Sequence, residues 1–180
     1  MRKLNHSEIL ERQKEKVKEK RLPIAVILND IRSLHNVGAI FRTADGAGVE
    51  KIYLCGITGY PPNAQIQKTS LGAEKVISWE YRKNPIELIE SLKKDGYEIV
   101  LLEQAKESIL YQDFKPSFPV CFVIGNEISG VNEGIVSFCD KIIEIEMSGI
   151  KNSLNVSVAF GIAVYHIRNC FFKDIIKIKI

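Results

Sequence analysis

Short apolar segments rich in Ile and Val alternate with helical patterns along the chain. The first segment, LPIAVILNDI at 22–31, has the length and composition of a strand buried on both faces of a sheet. Apolar residues at helical spacing fill 37–44, and a second strand-like segment, KIYLCGI, follows at 51–57. Residues 24–55 therefore predict a βαβ unit, in which a helix joins two parallel strands.

The same alternation continues towards the end of the chain. A helix–turn–strand pattern covers 84–103, strand-like segments lie at 119–126 and 141–147, and a final helical pattern extends from 153 to about 172. Strands that alternate with helices in this way form α/β domains, with a mostly parallel sheet and helices on both faces. We expect this α/β fold over residues 22–180.

The composition favours one intracellular domain. With 180 residues, of which 46% are hydrophobic, the chain is long enough for one well-filled core. The four cysteines form no CxxC pair and lie mostly in apolar segments, which favours reduced thiols in a cytoplasmic protein over zinc ligands or disulfides. No signal-peptide pattern opens the chain and no run of about 18 apolar residues occurs, so we expect neither secretion nor membrane insertion.

Positive charge is concentrated in a basic N-terminal arm, residues 1–21. The arm holds eight Lys or Arg residues against four Glu, whereas the whole chain carries a net charge of only +3. The spacing of Glu11 and Glu15 among lysines predicts an exposed helix. Two interpretations of this helix stay open, namely a solvated charged surface or an arm that binds phosphates.

Three loops that follow predicted strands combine glycines with polar side chains. They read NDIRSLHNVGAIFRTADGAGV after 22–31, IGNEISGVNEG at the end of 119–126, and MSGIKNSLNVSVAFGI at the end of 141–147. Ligands of α/β proteins bind at loops that leave the carboxyl ends of strands. None of the three contains the G-x-G-x-x-G dinucleotide pattern or the G-x-x-x-x-G-K-[ST] phosphate loop, which disfavours those two classes of enzyme.

Segments of these loops resemble the three motifs of the SpoU (TrmH) family of RNA ribose 2′-O-methyltransferases, within the SPOUT superfamily. The motifs are NVGAIFRTADGAGV, FVIGNEISGV and SLNVSVAFGIAVY, and they occur in the family's order within residues 22–172. The resemblance implies an S-adenosylmethionine-dependent enzyme that methylates structured RNA. It also implies a SPOUT-type α/β fold with a C-terminal trefoil knot, a topology that physical patterns alone would not predict.

The resemblance places the cofactor, S-adenosyl-L-methionine, among backbone loops of the second and third motifs. Gly125, Ile145 and Leu154 stand where family members contact the cofactor largely through the main chain. Met147 and the loop at Gly149 would line the same pocket. The family's reaction requires no metal.

Five polar residues of the motifs form the implied catalytic set. A ribose 2′-hydroxyl is a weak acid, so methyl transfer needs it deprotonated or polarised and held in line with the methyl group. Arg42 has this role by resemblance, and because family members are homodimers with sites near the interface, it is expected to act across the dimer. Asn36 would position Arg42 or a phosphate, and Glu127 would hold Arg42 or a ribose hydroxyl. Ser153 and Asn155 would complete the polar ring.

Each of these residues also has a structural interpretation. A guanidinium is normally a permanent donor, so Arg42 could clamp a phosphate, stabilise alkoxide character or simply be a surface charge. Asn36 and Ser153 are each suitable N-caps of helices. Glu127 could compensate a helix dipole, and Gly125 could be a turn glycine with positive φ.

The implied substrate is RNA, with transfer RNA favoured over ribosomal RNA. Small family members without a separate N-terminal substrate domain commonly act on transfer RNA, and this chain has only the arm before residue 22. Two other functions stay open, a knotted RNA-binding protein without catalysis and a generic nucleotide-binding α/β enzyme. The retained polar set argues against the former, and binding of S-adenosylmethionine would exclude the latter.

Overall fold

A parallel sheet of seven strands forms the centre of the part of the chain described by the computed structural model, residues 1–17 and 21–178. Its strands are β1 Leu22–Asn29, β2 Val49–Cys55, β3 Ser78–Arg82, β4 Glu98–Leu102, β5 Ile109–Leu110, β6 Val120–Ile124 and β7 Lys141–Glu144. Across the sheet they lie in the order β3, β2, β1, β6, β4, β7, β5, and all the neighbouring pairs are parallel.

Six helices accompany the sheet over the same described ranges. They are α1 His6–Val17, α2 Leu34–Ala47, α3 Ala64–Ser70, α4 Pro85–Lys94, α5 Glu133–Val136 and α6 Val156–Ile178, with a short 3₁₀ turn at Ala73–Lys75. Helix α1 lies within the basic arm, and residues 18–20 of that arm fall outside the described residues. No helix in the described ranges is both long and apolar enough to cross a membrane.

The sheet is covered on both faces, as the sequence predicts for an α/β fold. On one face α2 and α6 bury Phe41 and Phe160 against Phe122 of β6. On the other face α4 and α5 bury Ile89 and Ile135 in a separate cluster. The predicted fold class is therefore confirmed, whereas the trefoil knot stays a prediction that rests on the family resemblance.

The strand order brings the ends of β1 and β6 together. These strands are adjacent in the sheet and pair in parallel from Ile24 opposite Val120 to Leu28 opposite Ile124. Because parallel strands present their carboxyl ends at one edge, the loops after β1 and β6 begin side by side. These loops carry the first two motifs.

Two helices of the motifs begin at other residues than the sequence patterns predict. Helix α2 is capped by Ser33, whose Oγ accepts a hydrogen bond from the backbone N–H of Asn36 at 3.3 Å. Helix α6 starts at Val156, and its cap is Asn155, whose side chain accepts from the N–H of Ser157 at 2.9 Å. The N-cap roles predicted for Asn36 and Ser153 are therefore wrong, because other residues of the same capping class precede each first turn.

Candidate active site

A chain of side-chain hydrogen bonds joins the three motifs at the carboxyl edge of the sheet. Asn36, from the first motif, donates from Nδ2 to Oε1 of Glu127 in the second motif at 3.0 Å. Asn155, from the third motif, donates from Nδ2 to Oδ1 of Asn36 at 3.1 Å. The structure thus brings together three of the five residues of the implied catalytic set.

Glu127 is held by donors from the loop after β1 as well as by Asn36. Its carboxylate accepts hydrogen bonds from the backbone N–H groups of Arg32 at 3.1 Å and Ser33 at 3.2 Å. Partial burial acts to raise the pKa of Glu127, but the hydrogen bonds from Asn36 and from these backbone groups outweigh it and hold the pKa below its ordinary value. The site therefore contains a fixed carboxylate rather than a proton acceptor poised near neutral pH.

Removing the charge of Glu127 should destabilise the chain in a pH-dependent way. At neutral pH, Glu127→Gln should lower the free energy of unfolding by roughly 1 kcal/mol, a small value because solvent screens an exposed carboxylate. A carboxyl group whose pKa is lower in the folded chain stabilises the fold above its unfolded pKa, about 4.3. This stabilisation is lost as the pH falls through the folded pKa. The difference between wild type and Glu127→Gln should therefore shrink below about pH 4.

Urea unfolding at a series of pH values measures this difference. Glu107→Gln, at an exposed glutamate outside the site, is the matched control and should show little change. A loss of stability in Glu127→Gln that is the same at every pH would contradict a role for the ionised carboxylate.

Asn155 links the polar chain to the start of α6. Its Oδ1 accepts from both the N–H and the Oγ of Ser157, at 2.9 and 2.6 Å, while its Nδ2 donates to Asn36. One amide thus caps the helix and orients a side chain of the first motif. Capping and a role in the site coexist at Asn155.

Ser153 lies beside this polar chain in a shallow cleft. The cleft is lined by Asn36, Glu127, Ser153 and Asn155, together with Arg32, Ser33, Ile128, Leu154 and Val156. Ser153 is exposed, so its hydroxyl is available to a ligand in the cleft. The polar ring that the resemblance implies is present here apart from Arg42.

A second cavity adjoins the cleft and contains the residues that the resemblance assigns to the cofactor. Gly125, Ile145, Met147 and Leu154 all line it, although they come from three separate segments of the chain. The cavity and the cleft share four residues, Glu127, Ser153, Leu154 and Val156. A molecule in the cavity would therefore be next to a molecule in the cleft.

Gly125 is required by the close approach of two backbone segments. A Cβ atom at this position would lie 2.5 Å from the carbonyl carbon and 2.6 Å from the oxygen of Gly130. Gly125 does not have a positive φ, and the turn instead has its positive φ of 63° at Gly130. The expectation of a positive-φ glycine at 125 is wrong, and the reason for glycine is space rather than backbone conformation.

Asn126 is a site residue that the sequence analysis missed. Its Oδ1 accepts from the N–H groups of Ile128 and Ser129 at 2.9 and 3.1 Å, which fixes the turn that carries Glu127. Its Nδ2 donates to the carbonyl oxygen of Asp30 at 2.8 Å and so ties the second motif to the end of β1. The signal was an Asn directly after a buried strand and glycine, in the position typical of an Asx turn.

Two polar residues after β4 also line the cavity and were not predicted. Glu103 and Gln104 follow the apolar strand directly, and the Nε2 of Gln104 donates to the carbonyl oxygen of Asn152 at 2.6 Å. This contact supports the loop that leads to Ser153. Their position at the carboxyl end of a strand was the available signal.

Arg42 lies apart from the polar chain within the described part of the protein. It is exposed on α2, and among the described residues it has no hydrogen-bond or ion-pair partner. Six residues separate it from Asn36, which places it roughly 9 Å further along the helix axis and turned by roughly 120°. Within the chain, neither Asn36 nor Glu127 contacts Arg42. The other predicted contacts, of Asn36 with a phosphate and of Glu127 with a ribose hydroxyl, stay predictions.

The polar chain and Ser153 present amide, carboxylate and hydroxyl groups. Among residues 1–17 and 21–178, no group of three or more His, Cys, Asp or Glu side chains is placed to hold a metal ion. The buried thiol of Cys55 has its pKa raised to about 12 by desolvation, which is typical of an unreactive core cysteine.

Comparison with known proteins agrees with this arrangement. The model of the SpoU rRNA Methylase family matches residues 23–165. The tRNA (guanosine(18)-2′-O)-methyltransferase of Aquifex aeolicus is 34% identical over 157 residues, which are 87% of this chain and 74% of that protein. The crystal structure of the A. aeolicus TrmH/SpoU tRNA modifying enzyme has a TM-score of 0.81 at 32% identity, and the match covers 92% of this chain and 86% of that one.

A relative with a bound cofactor has the same fold. The AdoMet-bound rRNA methyltransferase from Sinorhizobium meliloti has a TM-score of 0.77 at 28% identity. The match covers 81% of this chain but 56% of that one, so this chain spans just over half of the longer protein.

The α/β sheet, the adjoining cavity and cleft, and these likenesses together define a methyltransferase that modifies RNA. The chain belongs to the SpoU rRNA Methylase family. The family resemblance and the enzyme class that were expected from the three motifs, an RNA 2′-O-methyltransferase, are confirmed.

Proposed function

We propose that this protein transfers the methyl group of S-adenosylmethionine to a ribose 2′-hydroxyl of structured RNA, with transfer RNA as the favoured substrate. One observation carries the proposal. The cavity that contains the residues implied for the cofactor shares Glu127, Ser153, Leu154 and Val156 with the cleft that contains the polar ring. Two reactants bound on either side of this common wall would be neighbours.

The cavity fits the methyl donor chemically. Ile124, Ile145 and Val156 provide apolar surface suited to a purine, and Glu103 and Glu144 provide carboxylates suited to ribose hydroxyl or amino groups. Gly125 contributes main-chain atoms to the cavity wall. When bound, S-adenosylmethionine supplies a methyl group on a positively charged sulfur. The AdoMet-bound relative supports this choice of cofactor.

Within one protomer the polar chain has a positioning role. Glu127 already accepts three hydrogen bonds and has a lowered pKa, so it is poorly suited to remove a proton from a hydroxyl. It holds Asn36 and the loop after β1 in place. The exposed hydroxyl of Ser153 and the amide of Asn155 are then the groups that would orient the ribose and its flanking phosphate.

We assign polarisation of the 2′-hydroxyl to Arg42 of a second copy of the chain. Its lack of a partner among the described residues and its exposure on α2 support this assignment. Helix α6 packs beside α2 and exposes the apolar side chains of Val158 and Tyr165, which supports a homodimer formed through this face. A permanent cation would stabilise negative charge that develops on the ribose oxygen, or hold the adjacent phosphate.

Transfer RNA and ribosomal RNA both fit the comparisons, and the length of the tRNA relative supports transfer RNA as the first candidate. The structural match covers 86% of the chain of the tRNA modifying enzyme, whereas it covers 56% of the chain of the rRNA methyltransferase. Ribosomal RNA is the second candidate because a structurally similar enzyme acts on it. A cytoplasmic location is part of the proposal and is supported by Cys55 and Cys121, which are buried and form no disulfide.

Two measurements test the proposed function. Calorimetric titration with S-adenosylhomocysteine should show binding, and labelled S-adenosylmethionine should transfer its methyl group to unmodified transfer RNA in preference to ribosomal RNA fragments. Mass spectrometry of nuclease digests would then give the methylated position. Binding without transfer to either RNA would indicate a non-catalytic RNA-binding protein, and no binding would contradict the proposed cofactor.

A further inference from the structure

A partly exposed aromatic cluster lies at the β3 edge of the sheet, outside the active site. The ring of Tyr60 is 6.2 Å from the ring of Trp79 and 5.0 Å from the ring of Tyr81, measured between centroids. Tyr60 and Tyr81 are 48% and 38% exposed, although aromatic rings with only a packing role are usually buried. We call these three residues the aromatic platform.

The aromatic platform is rigidly connected to the loop that follows β1. The hydroxyl of Tyr81 donates to the carbonyl oxygen of Gly56 at 2.9 Å, and the N–H of Ile57 donates to Oδ1 of Asp30 at 2.9 Å. The buried hydroxyl of Thr58 accepts from the N–H of Ile31 at 3.0 Å and donates to a carbonyl oxygen of β1. The segment that carries Tyr60 is thereby fixed relative to the first motif.

The aromatic platform lies on the same edge of the sheet as the active site. Strands β6, β1, β2 and β3 are successive neighbours, so their carboxyl ends form a row that begins at Glu127 and ends at Arg82. Three strand spacings make this row roughly 14 Å long. A few nucleotides of unpaired RNA span such a distance.

Cations lie near the aromatic platform at the end of β3. Glu80 accepts from Lys51 at 2.8 Å and from Arg82 at 2.7 Å, and because side chains alternate along β3, these three residues lie on the face opposite to Trp79 and Tyr81. One carboxylate is thus shared by two cations, and the exposed Lys83, directly after β3, is the cation that lies outside this ion-paired cluster. Exposed aromatic rings beside cations are the features by which proteins bind unpaired bases of RNA, through stacking and phosphate contacts.

We infer that the aromatic platform binds an unpaired base of the substrate RNA, a few nucleotides from the ribose that is methylated. This inference rests on the proposed function for the identity of the ligand. The aromatic platform would select RNA in which the target nucleotide lies in a loop, because a base within a duplex cannot stack on a protein ring. It contributes to substrate choice and not to the methyl-transfer step.

The chain contains one tryptophan, so the fluorescence of Trp79 reports directly on the aromatic platform. The probe is oligouridylate, and an abasic oligomer of the same length is the matched ligand. Oligouridylate should change the fluorescence of Trp79 and bind with higher affinity than the abasic oligomer. Tyr60→Leu should weaken oligouridylate binding roughly 10-fold, because stacking on the ring is lost. The salt dependence of binding should not change, because the contacts with phosphates are retained.

Three variants control this experiment. Tyr60→Phe retains the ring and should bind like wild type, whereas Lys83→Ala should reduce the slope of affinity against salt concentration by about 1. Ile109→Ala removes an exposed side chain from the opposite edge strand and should have no effect. Thermal unfolding of each variant verifies that the chain is folded.

Methyl transfer to transfer RNA is measured separately, so the two proposals can fail independently. Suppose that the enzyme is active but that Tyr60→Leu does not change its affinity for RNA, or that RNA does not change the fluorescence of Trp79. Either result would contradict RNA binding by the aromatic platform and leave the proposed function intact. If the protein is inactive but its binding of oligouridylate depends on Tyr60, the aromatic platform is supported and the proposed function is contradicted. Self-association that Tyr60→Leu abolishes, with no response of Trp79 to oligouridylate, would assign this surface to a protein contact and also overturn the inference.

Discussion

Replacing Arg42 by alanine should reduce methyl transfer to background, a loss of roughly 1000-fold, because the developing charge on the ribose oxygen loses its cation. The affinity for S-adenosylhomocysteine should be nearly unchanged, since Arg42 does not line the cavity of its own chain. Transfer of labelled methyl groups to RNA and calorimetric titration measure the two effects separately. Lys94→Ala, at an exposed cation on α4, is the matched control and should retain activity.

A collapse of cofactor affinity in Arg42→Ala would contradict this assignment. Arg42 would then support the cavity rather than the nucleotide, and the loss of activity would follow from loss of the methyl donor.

Replacing Gly125 by valine should weaken the binding of S-adenosylhomocysteine by roughly 100-fold, equivalent to about 2.7 kcal/mol. The new side chain would meet the backbone of Gly130, which cannot move without disturbing the turn that carries Glu127. Either the turn shifts or the side chain enters the cavity, and both outcomes damage the cavity wall. Calorimetric titration measures the loss.

A second glycine provides the control for Gly125→Val. A Cβ atom at Gly161, in α6, would lie 3.7 Å from Cγ2 of Thr43, which is an ordinary contact, so Gly161→Ala should bind the cofactor analogue normally. Thermal unfolding distinguishes a damaged cavity from an unfolded chain. Unchanged cofactor affinity in a folded Gly125→Val protein would show that the ligand lies elsewhere.

The two variants together test whether Arg42 acts across a homodimer. In a mixed dimer, an Arg42→Ala chain has an intact cavity and a Gly125→Val chain has an intact Arg42. If Arg42 acts on the partner's cavity, the mixed dimer regains one working site. If Arg42 acts on its own chain, both sites stay inactive and the mixture has only background activity.

Several features of the site could be predicted from the sequence because they are local. Polar and glycine residues after apolar strands indicated the loops in which a ligand would bind, and the family resemblance singled out Gly125, Glu127 and Asn155 within them. The structure places these loops at the carboxyl edge of the sheet. The exact helix starts could not be predicted. Ser33 and Asn36 are both good caps, and the choice between them depends on the path of the loop after β1.

The predicted contact between Asn36 and Arg42 is absent within the chain. The two residues are close in sequence but face different directions on α2. The partner that Asn36 does contact, Glu127, is 91 residues away in the sequence. Helical geometry is enough to predict that Asn36 and Arg42 point in different directions. The contact between Asn36 and Glu127 depends on the arrangement of the sheet and could not be predicted from the sequence.

The sequence by itself determined strands β1, β2, β4, β6 and β7, the presence of helices on both faces and the residue types available at the strand ends, because apolar periodicity and turn chemistry are properties of short segments. Only the tertiary structure decided that β6 lies beside β1 and that Asn155 reaches Asn36 across 119 residues of chain. Strand order depends on which surfaces bury most apolar area together, a property of the whole chain. The tertiary structure also placed Tyr60 against Trp79 and Tyr81, a contact that no local pattern around any of the three residues contains.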